Sequence, residues 1–376
     1  SDSLRSAEVY NISIDPFKVK GKLAIISPNA GTEEWIAGTQ PTATPIQWQR
    51  TGSIGNIKID YSPDMGGSWL TVINSTDASA GSFSNWTIPD SSVRTTKQAL
   101  IKVTDVNEPS VNDSSNNTFL IRGALSLTAP VTAGLGLVVN NTYNVTWTKS
   151  GIYTPTDTIK AEYSKNDAAY QAMYNVLNQS ANAVDASQGY FSWYVPDDLS
   201  SNIKVKITRN ADTINVPPVI SPQVKIIGTL AVTPSPPGGA KWEVNRTYPI
   251  QWIRQGSISN VTLSYSLGGQ NYTFIDYAAG SSGGVGYNWL IPNTPGIIST
   301  NVTIKVSDTS DPVTVYNISP VFSIIPRFVI TAPVLNQKIN TSRDTSITWN
   351  SFGWNPAVHI YYSTNNFSGG NGTALI

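Results

Sequence analysis

The sequence predicts an all-β protein, a linear array of tandem β-sandwiches, and three observations carry that reading. An Ile or Val, one residue, Trp, three residues and Gly, followed nine to twelve residues on by Tyr-Ser, occur four times. The copies are Ile46/Trp48/Gly52/Tyr61, Val145/Trp147/Gly151/Tyr163, Ile250/Trp252/Gly256/Tyr265 and Ile347/Trp349/Gly353/Tyr362. Self-similarity at a fixed period means that one structural unit has been copied. Between these marks, apolar residues alternate with polar ones over short runs bounded by Gly, Pro, Asn and Ser, about seven runs per hundred residues, which is the sandwich pattern. No stretch holds a 3.6-residue apolar period. The best helix candidate, residues 166 to 174, sits where the other copies have a hairpin and is expected to be extended or irregular.

In chain order, Ser1-Asp2, Val9-Tyr10-Asn11-Ile12-Ser13 and Phe17 repeat the later Ser307-Asp308, Val315-Tyr316-Asn317-Ile318-Ser319 and Phe322. Residues 1 to 21 therefore read as the closing strand of a preceding repeat. The first full repeat spans 22 to 123, opening with Leu23, Ile25 and Pro28 and passing through Trp48, Tyr61, Trp86-x-Ile88-Pro89 and Ile101-x-Val103-x-Asp105 to a Phe119 strand. The second spans 124 to 228 and the third 229 to 326, with Trp193-Tyr194-Val195-Pro196 and Trp289-Leu290-Ile291-Pro292 at the corresponding place. Residues 327 to 376 are the opening half of a further repeat. Two readings fit these ends: a window on a longer array, or a half-sandwich at 327 to 376 completed by the first strand of a neighbour through strand addition. Only Gly123, Gly228 or Pro326 separates one repeat from the next, so a stiff rod is expected.

Composition narrows the functions. Lys plus Arg and Asp plus Glu number 24 each, and charged residues are 13% of the chain, against about 25% in typical soluble proteins. No basic patch invites nucleic acid or anionic lipid. Solubility falls to Ser, Thr and Asn, to attached glycan, or to packing in an assembly. There is no cysteine, which excludes disulfides and thiolate chemistry and fits a microbial surface protein. No run is long and apolar enough to span a bilayer, and the first residues lack the apolar core of a signal peptide.

The recurrent aromatic residues read as structural core: Trp48, Tyr61, Trp86, Trp147, Tyr163, Trp193, Trp252, Tyr265, Trp289, Trp349 and Tyr362. Burying one indole removes roughly 150 to 250 Å² from water, several kcal/mol at about 25 cal/mol per Å². The spacing puts Trp48, Trp147, Trp252 and Trp349 on core-facing positions neighbouring the Tyr that follows each. Together with Trp35-Ile36-Ala37-Gly38-Thr39 and its second copy, Trp242-Glu243-Val244-Asn245-Arg246-Thr247, these motifs resemble the fibronectin-type-III-like, Ig-like domain of the Ser-Thr-rich glycosyl-phosphatidyl-inositol-anchored membrane family. That resemblance implies Ig-like sandwiches serving as stalk or spacer modules of cell-surface proteins, with no catalytic residues. Ser62-Pro63-Asp64-Met65-Gly66-Gly67-Ser68-Trp69 resembles the Asp-box hairpin of sialidase-type propellers, where the Asp accepts turn amides.

Candidate sites are few. Asp105, Asn107 and Asp113 in the first repeat, and Asp308 and Asp311 in the third, are oxygen ligands that could hold Ca²⁺; a solvated Asx-rich loop is the alternative, favoured because the second repeat offers only Asn210 and Asp212. One histidine, His359, and no cysteine argue against a zinc site or a catalytic triad. Asn-x-Ser/Thr occurs sixteen times, and the glycan candidates are Asn74, Asn144, Asn260, Asn271, Asn301 and Asn317. Asn144, Asn260 and Asn301 are out of phase with the core and point to water. The expected function is a structural component of an extracellular microbial filament, surface layer or stalk that self-associates or contacts neighbouring repeats. The alternatives are an adhesin contacting glycan or protein through Trp35, Trp69, Trp242 and Trp354, or an accessory region of a secreted glycoside hydrolase.

Overall fold

The computed structural model describes residues 11–90, 96–151, 157–211, 213–214, 216–280, 286–340, 343–353, 357–363, 367 and 373–375, and the regular structure in them is nearly all strand. The contacts divide the chain into two compact units. One comprises Ser1–Thr132, Asn144–Trp193 and Lys204–Pro222; the other comprises Ala133–Tyr143, Tyr194–Ile203 and Gln223–Ile376.

In the first unit, nine strands follow the alternating runs: β1 (Lys22–Ser27), β2 (Glu34–Ile36), β3 (Ile46–Thr51), β4 (Asn56–Ser62), β5 (Leu70–Asp77), β6 (Ser82–Phe83), β7 (Thr96–Asp105), β8 (Asn112–Ser114) and β9 (Phe119–Arg122). One sheet has the order β1-β3-β6, and the other the order β2-β9-β7-β4-β5 with β8 on β7. The opening segment changes sheets. Its β1 pairs antiparallel with β3, and its β2 pairs parallel with β9, Trp35 beside Ile121. A three-stranded sheet facing a larger one in this order is an immunoglobulin-type sandwich.

The inward residues of both sheets make one core, with Leu23, Ile25, Ile46, Trp48, Ile57, Ile59, Tyr61, Ile101, Val103 and Phe119 all buried. A short 3₁₀ turn, Ala78–Ala80, is capped by the Asp77 carboxylate and ends at Gly81 with φ 69°. It brings the Ala78 carbonyl to the Trp48 indole N–H, which donates to it at 2.9 Å. The second copy repeats the device with Asp185, Ala186–Gln188 and Gly189, and the Trp147 indole donates to the Ala186 carbonyl at 3.1 Å. Also in this unit, Ala124–Ala129 pairs with residues 146–150, and Thr158–Lys165 pairs with Gln171–Ala172 and Val184–Asp185. Residues 166 to 174 thus hold a short strand and no helix.

The second unit contains the same sandwich again. Lys241–Glu243, Phe322–Ile325, Ser299–Asp308, Asn260–Ser266 and Thr273–Ala279 lie in that order, and the first pair is parallel. Thr229–Val232 pairs with Trp252–Gln255, and Thr247–Ile250 with Tyr287–Leu290. Trp242, Trp252, Trp289, Val302, Ile304 and Phe322 share its core. The chain is therefore all-β and contains tandem sandwiches.

Three placements bear on the expectations from sequence. The Tyr of the first three copies meets the later Trp: ring centroids are 5.3 Å apart for Tyr61 and Trp86, and 5.1 Å for both Tyr163 and Trp193 and Tyr265 and Trp289. Sequence spacing locates both rings on inward positions but does not show which meet across the sheets. Residues 11–21 carry no strand, and Ile12, Ile14, Phe17 and Val19 are exposed; a lone segment has no ladder to satisfy its amides. Residues 1 to 10 lie outside the described part. Trp349 is 38% and Tyr362 48% exposed. Their strands, Thr348–Phe352 and Ile360–Tyr362, belong to two-stranded sheets, and no second sheet covers them among the described residues.

These environments set different costs for truncation. Trp48→Ala should destabilise the first sandwich by about 3 to 5 kcal/mol, and Trp349→Ala by less than about 1.5 kcal/mol because its ring is already partly hydrated. Denaturant midpoints, with amide exchange in β4 and β7 reporting the first sandwich, measure the difference.

Candidate functional site

The acidic residues that could hold calcium are engaged in the fold. Asp105 accepts the Asn107 N–H at 2.9 Å, and Asp308 accepts the Ser310 N–H at 2.8 Å, both closing strand-end turns. Asp113 accepts the Ile25 N–H at 2.7 Å, stitching β8 to the opening strand. Asp311 pairs with the Lys225 ammonium at 2.8 Å, while Asn107 is exposed. In the second copy Arg209 stands at the Asp105 position and grips buried Asp157 through two nitrogens at 2.9 to 3.1 Å. Among the described residues no three His, Asp or Glu side chains converge. His359 is exposed.

The aromatic candidates for ligand contact are mostly occupied. Trp35 and Trp242, expected at the surface, are only 2% and 4% exposed. Each lies on the strand parallel to the closing strand and faces inward, with its ring 4.6 Å from Phe119 or Phe322. Trp69 is half-buried with the Lys102 ammonium 4.4 Å from its ring, and Lys206 covers Tyr170 in the same way at 3.9 Å. Trp354 lies outside the described residues. Of the glycan candidates, Asn74, Asn144, Asn260, Asn271 and Asn301 are exposed. Asn317 is half-buried, and its side-chain oxygen accepts the Val232 N–H at 2.9 Å, matching the Asp113 stitch.

What does recur is a contact built from two corners of the internal sequence pattern, the glycine of one copy and a turn about sixty residues before it. The recurrent Gly adopts φ of 60° at Gly151, 89° at Gly256 and 79° at Gly353, a left-handed conformation in which a side chain is strained. A Cβ there would also collide, coming 3.0 Å from Ala37 at Gly151 and 2.9 Å from Val139 at Gly256. At Gly353 it would lie 3.4 Å from Val244 and 2.9 Å from Ile298. Ala37, Val139 and Val244 hold one equivalent position in three successive repeats. The residue after each Ile/Val-Pro pair caps the corner. Asp90 accepts the Gly151 N–H, Asp197 accepts the Ser257 N–H at 2.8 Å and its hydroxyl, and Asn293 accepts the Gly353 N–H at 2.8 Å.

The capping turn is itself held in place. Gly38, Asn140 and Asn245, with φ of 80°, 58° and 59°, each donate to the carbonyl of Ile88, Val195 or Ile291. The N–H of that Ile or Val donates back to Thr39, Asn141 or Arg246 at 2.9 to 3.0 Å. Asn replaces Gly there because its short side chain tolerates the left-handed region.

Glu33 has a local role. Its carboxylate accepts the N–H groups of Asn29, Ala30, Gly31 and Thr32 at 2.7 to 3.1 Å. Partial burial pushes its pKa up, but the hydrogen bonds from Ala30, Asn29 and Gly31 outweigh it and hold the group below the ordinary glutamate value. In the hairpin after β4, Asp64 accepts the Ser68 N–H and hydroxyl and the Ser62 hydroxyl, each at 2.8 Å, the turn-capping role its motif suggested.

No family model and no curated protein matches the sequence. Among solved structures, the chain is similar to the I67–I69 fragment of the titin I-band, at 11% identity over 82% of this chain and 99% of that one, with a TM-score of 0.25. Immunoglobulin domains 1–5 of Sidekick-1 align at 11% identity over 85% and 61% of the two chains, with a TM-score of 0.22. The insect immune protein hemolin aligns at 10% identity over 82% and 78%, with a TM-score of 0.18. At such scores the likeness carries no argument, and the sandwich assignment rests on the strand order of the chain itself.

Glu33→Gln should cost about 1 kcal/mol at neutral pH and flatten the acid limb of stability. With its folded pKa depressed, the native carboxylate stabilises above the unfolded value, and that contribution is lost as pH falls through the lower folded value. Urea midpoints between pH 2 and 7 test this. Asp197→Ala should raise amide exchange at Ser257 while leaving strand amides in 260–266 and 299–308 protected, as read by exchange mass spectrometry.

Proposed function

We propose that this chain is a structural part of an extracellular microbial surface assembly, a filament, surface layer or stalk, built from Ig-like repeats at 22–123, 124–228 and 229–326 with 327–376 opening another. The observation that carries this reading is the recurrent cap of a Pro-Asp or Pro-Asn turn on the glycine corner of the next repeat, present at 90/151, 197/257 and 293/353. A protein whose work lies in loops or a cleft has no need of one joint three times over. A protein whose work is to hold successive sandwiches in fixed register does.

The low charge and the exposed sequons fit a glycosylated surface. Exposed apolar residues at 327–376, including Phe328, Ile330, Trp349 and Tyr361, mark where this reading expects a neighbouring repeat or an added strand. A second reading, adhesion, is favoured by one patch. Phe274 and Tyr277 stand 52% and 61% exposed on the edge strand Thr273–Ala279, with ring centroids 4.9 Å apart, beside Asn260 and Thr309.

Electron micrographs of the native material should show ordered filaments or lattices; dispersed single molecules would count against assembly. Glycopeptide mapping of that material should find sugar on Asn144, Asn260 or Asn301 and none on Asn317. Unmodified asparagine at all of the exposed positions would leave the polar residues alone to explain solubility.

A further inference from the structure

We infer that the Gly52–Ser53 corner of the first repeat is a docking site, and that its partner is the Pro-Asp or Pro-Asn turn of a further sandwich module of this same type. The inference rests on reading the glycine contacts as joints between repeats. Three corners in this chain, at Gly151, Gly256 and Gly353, each carry such a turn from the repeat before. The fourth corner has the same shape, and among the described residues no such turn reaches it. Gly52 adopts φ 86°, within the range of the others, and a Cβ on it would lie 3.2 Å from the Cα of Gly21. The same contact with the glycine that precedes the opening strand is made at Gly151 with Gly123, at 2.9 Å, and at Gly256 with Gly228, at 3.4 Å.

Exposure separates the corners. Gly151 is buried, and Gly256 and Gly353 are half-buried, whereas Gly52 and Ser53 are both exposed. Ser53 follows its glycine as Ser257 follows Gly256, and the Ser257 N–H and hydroxyl are the groups that Asp197 takes. The approach is also prepared. Lys18 and Lys20 bridge to Glu108 as Lys225, at the equivalent closing-strand position, bridges to Asp311. The segment ahead of Gly21 is thus fastened to the first repeat as Val224–Ile227 is fastened to the third. A module closed by that segment would have its own Pro-Asx turn next to Gly52.

The chemistry of the partner follows from the filled joints. It offers one carboxylate or amide oxygen, fixed by a preceding Ile/Val-Pro, either to the Gly52 N–H, as at Gly151 and Gly353, or to the Ser53 N–H and hydroxyl, as at Ser257. It offers a small or β-branched side chain, as at Ala37, Val139 and Val244, to the bare face of the glycine. A residue larger than glycine at position 52 would close the site.

The test extends the full chain at its start with a copy of residues 229–306, so that Ser1 continues where Val306 stops and the chain's own first 21 residues complete the added module. Amide exchange at Gly52 and Ser53 should slow at least about tenfold relative to the unextended chain. Asn293→Ala in the added copy should reverse this while leaving the copy's own strand amides protected. Unchanged exchange at Gly52 and Ser53 beside a protected donor would overturn the proposal. So would a donor that stays unprotected both in this form and when built from residues 124–207 in place of 229–306, since residues 1–21 would then not close a module. Protection that appears in the unextended chain as its concentration rises would assign the corner to a second copy instead, and would also overturn it. Asp197→Ala in the unextended chain separates the two levels. If exchange at Ser257 does not rise, the joint reading itself fails; if it rises and Gly52 and Ser53 stay unprotected in the extended chain, only the docking site fails.

Discussion

The packing of a Tyr ring against the later Trp of its own repeat is the interaction from which the rest follows. Tyr61 sits on the interior strand β4 and is fully buried, so Trp86 has one place to go. Two residues after that Trp, Ile88 is also fully buried, and Pro89 then turns the chain outward to Asp90. An aromatic contact in the interior therefore aims a carboxylate at the end of the sandwich. The same linkage runs from Tyr163 through Trp193 to Asp197, and from Tyr265 through Trp289 to Asn293. Core and joint are one mechanical element, since loosening the ring pair would release the cap four residues further on.

A surface with few charges needs other ways to satisfy strand ends and crossings, and this chain uses short side chains bonded to backbone. Ser115, Ser221 and Ser319 each accept a strand amide, from Ile101, Val205 and Ile304. Asp113 and Asn317 each reach the opening strand. Such contacts cost little side-chain entropy compared with lysine or glutamate pairs. They also explain why a Ser/Thr/Asn-rich composition, which by itself suggests only a polar coat, builds defined structure here.

The sandwich was legible because its signal is periodic. Alternation gave the strands, and the repeated Trp and Tyr positions gave their inward faces. The corner glycines were visible as invariant members of the internal pattern, but their purpose was not, because the partner residue lies about sixty positions earlier in chain and carries an Asp or Asn that looks like any turn residue. Trp35 and Trp242 were misread as surface for a related reason. A three-residue strand is too short to show its phase, and only the crossover into the second sheet turns these rings inward. The exposure of Trp349 and Tyr362 could not be read from their motif, which matches the buried copies; it depends on which strands face them.

The joints are alike in hydrogen bonding and unlike in charge. Lys225 reaches Asp311 across the boundary between the second and third repeats, but the equivalent closing-strand position is Leu120 at the boundary before it and Ser323 at the one after. An ion pair between partly exposed groups weakens as salt screens it, whereas the glycine caps and apolar contacts scarcely respond. Ionic strength should therefore loosen the Lys225–Asp311 contact selectively, so that salt acts on one of these contacts and leaves the glycine caps in place.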